Sequence, residues 1–197
     1  ATNCRTRRRT ELGSAESVAF IVGPTSTGTM YSVDSKDTVV ELSDVPQSSI
    51  GAPCPMILAG EHNLYLAFYL EERLPNWGGT SARVVGESNT GDPVALVEFT
   101  AAYAHMFGPP NDEAVGGHPL ASRGVGPYRV HEVRASSWIR RLERMNAVHP
   151  SHNPEAFAPY RHFIFTFHET TFECIAEAFR TSVRFGTVAE VLEIAFQ

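Results

Sequence analysis

Lysine is nearly missing from this chain: among 16 basic residues only Lys36 is a lysine, against 22 acidic residues and a formal net charge of −6. Neutralising a phosphate backbone needs basic surface, so a dedicated nucleic-acid binder is not expected. Cysteine is scarce too. Cys4, Cys54 and Cys174 form an odd set without a Cys-x-x-Cys pair, which argues against a disulfide framework and a zinc ribbon. No apolar run approaches the ~18–20 residues that span a bilayer. No signal-type stretch follows the basic start at Arg5, Arg7, Arg8 and Arg9. The expectation is a cytoplasmic protein without a membrane partner.

Motifs that would name a reaction are also lacking. There is no Gly-x-Ser-x-Gly elbow, no dinucleotide or P-loop glycine pattern and no His-Glu-x-x-His. What is present is an ordinary globular balance, 43% hydrophobic and 19% charged, which supports a buried core. Residues 1–13 read as a flexible basic tail and 14–197 as a single domain.

Strand signals dominate. Val18–Val22, Thr38–Leu42, Ala82–Glu87 and Tyr128–Val133 are short runs bounded by turn residues. Asn63–Leu70 alternates apolar and polar positions as a half-buried strand does, and Val94–Met106 reads as one long strand. Ser136–Val148 has helical spacing of Trp138, Leu142 and Met145, with Arg140, Arg141 and Arg144 on another flank. Thr187-Val-Ala-Glu190 has capping-box spacing and opens a C-terminal helix. The fold class expected is α+β, mainly β: a single antiparallel sheet, curled toward a barrel or sandwich, with one or two packed helices.

The segment Arg161–Phe179 carries the chemistry. Its alternation puts Phe163, Phe165, Phe167, Phe172 and Cys174 on one face, and His162, Thr166, His168, Thr171, Glu173 and Glu177 on the other with Ile164 and Ile175. His162 and His168 do not share a metal, because six strand residues separate them by ~20 Å. A turn at Glu169-Thr170, or a longer one over 168–171, pairs Phe167 with Phe172, Thr166 with Glu173 and His162 with Glu177. On that register His168 and Glu173 are candidate catalytic acid–base groups, with Thr166 as an orienting hydroxyl.

Between Phe107 and Gly126 glycine and proline replace any periodicity, and structureless connections of that length are usually functional or disordered. The loop brings Asp112, Glu113 and Arg123 as candidate substrate ligands together with His105 at its start. His118 is the candidate metal ligand, with His105, in a site of zinc or non-haem iron type. The function expected is a small-molecule enzyme, a hydrolase or lyase, using His/Glu acid–base chemistry with or without a metal. The alternative is a non-catalytic ligand-binding or protein-interaction module that uses the 107–126 loop. A homo-oligomer is compatible with either.

Overall fold

The computed structural model describes residues 32–71, 86, 88 and 90–196. The tail over 1–13 and the strands expected at Val18–Val22 and, apart from Gly86, Ala82–Glu87 lie outside the described residues. The described residues are mainly β, with two antiparallel sheets and two α-helices.

One sheet contains β1 (Thr38–Glu41), β5 (Ala104–Gly108), β6 (Val130–Arg134), β7 (Arg161–Thr166) and β8 (Thr171–Ala176), in the order β1-β6-β7-β8-β5. The other has β2 (Met56–Ala59), β3 (Leu64–Tyr69), β4 (Pro93–Thr100) and β9 (Ala178–Phe185), in chain order. Two sheets stand where a single one was expected. They meet at a corner that turns two long strands from one sheet into the other. Val94–Met106 is thereby divided into β4 and β5, with Ala101 at φ 51° making the bend. β8 passes into β9 beside it, and Glu177 N–H to Thr100 O (3.0 Å) and Tyr103 N–H to Ile175 O (2.8 Å) tie the two bends together. Strands that switch sheets at bends are the usual way to turn such corners.

The inner faces close on one aromatic core. Leu66, Phe68, Val97 and Phe99 meet Phe163, Phe165, Phe167 and Phe172. Strand β3 is buried on both faces, not one, because α2 (Val188–Phe196) packs Val188, Val191 and Leu192 over Ala67 and Tyr69. The capping box forms as its spacing requires: Thr187 N–H donates to Glu190 Oε2 at 2.9 Å, and Glu190 N–H to Thr187 Oγ1 at 3.1 Å. Helix α1 (Ser137–Asn146) starts at Ser136, whose side chain accepts from the Trp138 and Ile139 amides. No helix among the described residues is long and apolar enough to cross a membrane.

Candidate functional site

The polar face of the β7–β8 hairpin points away from the aromatic core, and it is covered. The 107–126 loop and α1 lie over it, burying Val115, Leu120, Val125 and Trp138 against Ile164 and Ile175. Short 3-10 turns at Val115–Gly117 and Ala121–Arg123 fold the loop down.

The hairpin turn is His168–Glu169, closed by Phe167 N–H to Thr170 O at 2.8 Å. The turn lies one residue earlier than expected; neither Glu-Thr nor His-Glu has the turn chemistry of Asn-Gly, so local sequence does not fix its position. Moving a turn by one residue shifts the pairing by two. Phe165 therefore lies opposite Phe172, Thr166 opposite Thr171, Ile164 opposite Glu173 and His162 opposite Ile175. A shift by two preserves which face each side chain occupies but changes every partner.

Two polar clusters result. In the first, Glu173 is 3% exposed and lies between two imidazoles: His118 Nε2 at 3.0 Å from Oε1 and His162 Nε2 at 2.9 Å from Oε2. Their outer hydrogen bonds assign the protons. Leu120 N–H donates to His118 Nδ1 at 3.1 Å, so in the neutral ring Nε2 carries the hydrogen that goes to Glu173. Ser136 Oγ already accepts two amides of α1, which leaves its hydroxyl hydrogen for His162 Nδ1 at 3.0 Å. His162 then also donates from Nε2. Burial pushes the Glu173 carboxyl up, but the two imidazole donors outweigh it and bring it down to about 2.

The second cluster is at the turn. His168 Nδ1 lies 2.9 Å from Asp112 Oδ2 and 2.8 Å from Tyr128 Oη, and the Tyr128 hydroxyl donates to the same carboxylate oxygen. The Asp112 amide also donates to the His168 carbonyl at 3.0 Å, so backbone and side chains of loop and turn are locked together. The hydrogen bond that His168 donates to Asp112 raises the His168 pKa, while Tyr128 and then His168 hold Asp112 below its usual range. Burial and the Asp112 charge push the Tyr128 phenol up to about 12. With Nδ1 facing the carboxylate, the neutral His168 ring carries its lone pair on Nε2. The His168 side chain is 41% exposed, and its Nε2 lies 3.4 Å from Glu169 Oε1. Tyr128 sits at φ 57°, a left-handed conformation that a bulky residue adopts only when its surroundings hold it there.

The residues singled out in the sequence are thus divided. Asp112 meets His168, and His118 meets Glu173, but His168 and Glu173 belong to different clusters. Thr166 Oγ1 donates to the Gly126 carbonyl (2.8 Å) and accepts the Arg129 amide (2.9 Å), fastening the loop's end. Arg123 donates to the Asp37 carbonyl at 2.6 Å. Glu113 is exposed next to Asp112 and contributes only its backbone N–H, which donates to Asp112 Oδ1 at 2.8 Å, and His105 is exposed on the edge strand β5. Among the described residues no group of three or more His, Cys, Asp or Glu side chains is arranged to hold a metal ion. Both His118 ring nitrogens are committed, whereas a metal ligand donates from one and keeps the other for the metal.

Tyr128, Ser136 and His131 were not signalled by the sequence. Only the Gly126-Pro127 step before Tyr128 hints at an unusual conformation. His131, on β6, is 1% exposed beneath the loop, and neither ring nitrogen makes a well-formed hydrogen bond; the nearby Gly124 backbone offers only a weak one. Burial lowers its pKa below the usual 6.5, outweighing Glu41, with Arg129 and His118 acting in the same direction as burial. The native state therefore binds fewer protons than the unfolded chain, and this site's contribution to stability falls as the pH drops below 6.5. A His131→Leu variant should gain on wild type as the pH is lowered from about 7.5 to about 5 in thermal melts. A difference that stays constant with pH would disprove the buried neutral ring.

Beside the second cluster a recess of about 160 Å³ opens between β6–β7 and the segment after β1, and Tyr128 contributes to its wall. Compared with protein-family models, curated proteins and solved structures, the chain matches none.

Proposed function

We propose that the protein is a small-molecule enzyme in which His168, oriented by Asp112 and Tyr128, exchanges a proton with substrate through Nε2. The observation that carries this reading is the Asp112–His168 contact at Nδ1 in an imidazole whose side chain is 41% exposed. A carboxylate at one ring nitrogen selects the tautomer and stabilises the imidazolium that forms when the other nitrogen takes a proton. The raised His168 pKa and the held left-handed backbone of Tyr128 agree with that role. Glu173 keeps the loop that supplies Asp112 in place. The alternative, a contact surface on the 107–126 loop, is less well supported, because Val115, His118, Leu120 and Val125 of that loop face inward.

The test has two arms. By NMR titration, Asp112→Asn should lower the His168 pKa, and the acidic limb of any pH–rate profile, where protonation of the base shuts off turnover, should move to lower pH with it. A panel of activated esters and of ketones with exchangeable α-protons in deuterated water would supply the rate. Where the wild type turns over, His168→Gln should lose about 10²–10⁴-fold, the usual contribution of a general acid–base group. A His168 whose titration ignores Asp112→Asn, or turnover that survives His168→Gln intact, rules the reading out.

A further inference from the structure

The two sheets leave four strands at their edges, and three of them are short: β1 and β2 have four residues each and β5 has five. The fourth, β9, has eight, in unbroken register with β4 and without a proline. No strand among the described residues pairs with its outer side. Native proteins keep edges short or cover them, because an open edge offers a free row of backbone donors and acceptors. The phase of the β4–β9 ladder shows which groups are free. Pro93 C=O accepts from Leu70 N–H and so points toward β3, while Thr100 C=O accepts from Glu177 N–H on the β9 side. Even-numbered residues of β4 therefore bond to β9, and their partners are Ala178, Arg180, Ser182 and Arg184. The amides and carbonyls of Phe179, Thr181, Val183 and Phe185 point outward. Val183 and Phe185 are also exposed, as is Ile194 of α2, which lines a shallow pocket with Phe185.

We propose that β9 pairs with β9 of a second copy of this chain, antiparallel about a two-fold axis at Val183, joining two four-stranded sheets edge to edge. An antiparallel edge is complementary to its own two-fold copy, since each outward residue donates to and accepts from the residue opposite. Charge selects the register. An axis between Thr181 and Val183 would set Arg180 opposite Arg184 in both halves, and like charges opposite one another repel. An axis at Thr181 would pair the partly covered Ala178 and Phe179 and leave the exposed Phe185 outside the ladder. With Val183 at the centre, Phe185 lies opposite Thr181, Arg184 opposite Ser182 and Arg180 opposite Gly186. The Glu190 carboxylate lies against Gly186, 3.3 Å from where a β-carbon would stand. Arg180 shares the face of Leu96, which α2 covers, so it is on the same side of the sheet as Glu190. An arginine of each copy thus meets a carboxylate of the other.

A pairing of this size buries under about 1,200 Å², and its dissociation constant should be on the order of 50 µM. Sedimentation from about 5 to about 500 µM should pass from monomer to dimer, and unfolding at about 5 µM reports on the monomer. Hydrogen exchange gives the signature: the Thr181, Val183 and Phe185 amides should slow with rising concentration, whereas those of Arg180, Ser182 and Arg184 are protected throughout. Val183→Lys sets two ammonium groups opposite one another and should weaken association at least about tenfold with native circular dichroism. Val183→Pro removes an outward donor without touching a bond to β4 and should do the same. In a background with Cys4 and Cys54 replaced by serine, Val183→Cys should cross-link on mild oxidation, its α-carbons being about 5.5 Å apart. Thr181→Cys, about 13 Å from its copy, should not. None of these variants touches His168, so the acid–base reading is tested separately. A monomer at the highest concentration would overturn the proposal. So would association that survives both Val183→Lys and Val183→Pro, exchange that ignores concentration, or cross-linking at 181 in place of 183.

Discussion

Replacing Glu173 by glutamine is expected to cost about 3 kcal/mol of stability near neutral pH, since hydrogen bonds to a buried charged group are worth about 1.5–3 kcal/mol each. The carboxylate accepts from His118 Nε2 and His162 Nε2 at once. An amide has one accepting oxygen, and its nitrogen would face an N–H donor at the other end. Reversing either ring's tautomer does not help. His118 would lose the Leu120 amide, and His162 would lose the Ser136 hydroxyl that caps α1. One buried donor is left unpaired in either case. Urea denaturation measures the loss, and protease nicking within 107–126 should become faster, because His118 ties that loop to the sheet. The pH dependence follows from the depressed Glu173 pKa: its contribution is fully present above the ordinary value of 4.5 and is lost as the pH falls toward about 2. The gap between wild type and variant should therefore be flat above pH 4.5 and narrow below it. Equal stabilities at neutral pH would show that the cluster does not hold the loop.

Phe99→Ala is expected to cost about 3–5 kcal/mol, the range for truncating a large buried aromatic. Phe99 is 7% exposed, and its ring centroid lies within 6.4 Å of those of Phe163, Phe165, Phe172 and Phe179. It comes from β4 in one sheet, and three of those partners come from β7 and β8 in the other, so its loss opens a void where the sheets meet. Phe185→Ala is the matched control. That ring is 76% exposed on β9, and its removal should change stability by less than about 0.5 kcal/mol. Similar losses for the two variants would contradict the two-sheet core.

The stretches read most directly from the sequence are those in which one local rule acts alone. Period-two alternation sorts Arg161–Ala176 into its two faces, and a shift of register by two leaves that sorting intact; past the bend at Glu177 it fails, and Phe179 packs with the aromatic core. Thr187 and Glu190 form a capping box because both ends of each hydrogen bond lie within one helical turn. The loss of pattern after Phe107 marks the loop. Its inward contacts escape notice because Val115, Leu120 and Val125 recur every five residues, a spacing that belongs to neither helix nor strand.

What the sequence by itself determined is which residues share a face, where the long loop lies and that the protein is mainly β, since each depends on neighbours within a few positions. Only the tertiary structure decided the partners. The turn at His168–Glu169 set the register, the bend at Ala101 turned one expected strand into two sheets, and the folded loop brought Asp112 to His168 and His118 to Glu173. These contacts join residues 55 and 56 positions apart, and no local preference encodes them. They form where burial leaves polar groups that must find one another, because an unpaired buried donor or acceptor costs more than any turn or strand preference contributes.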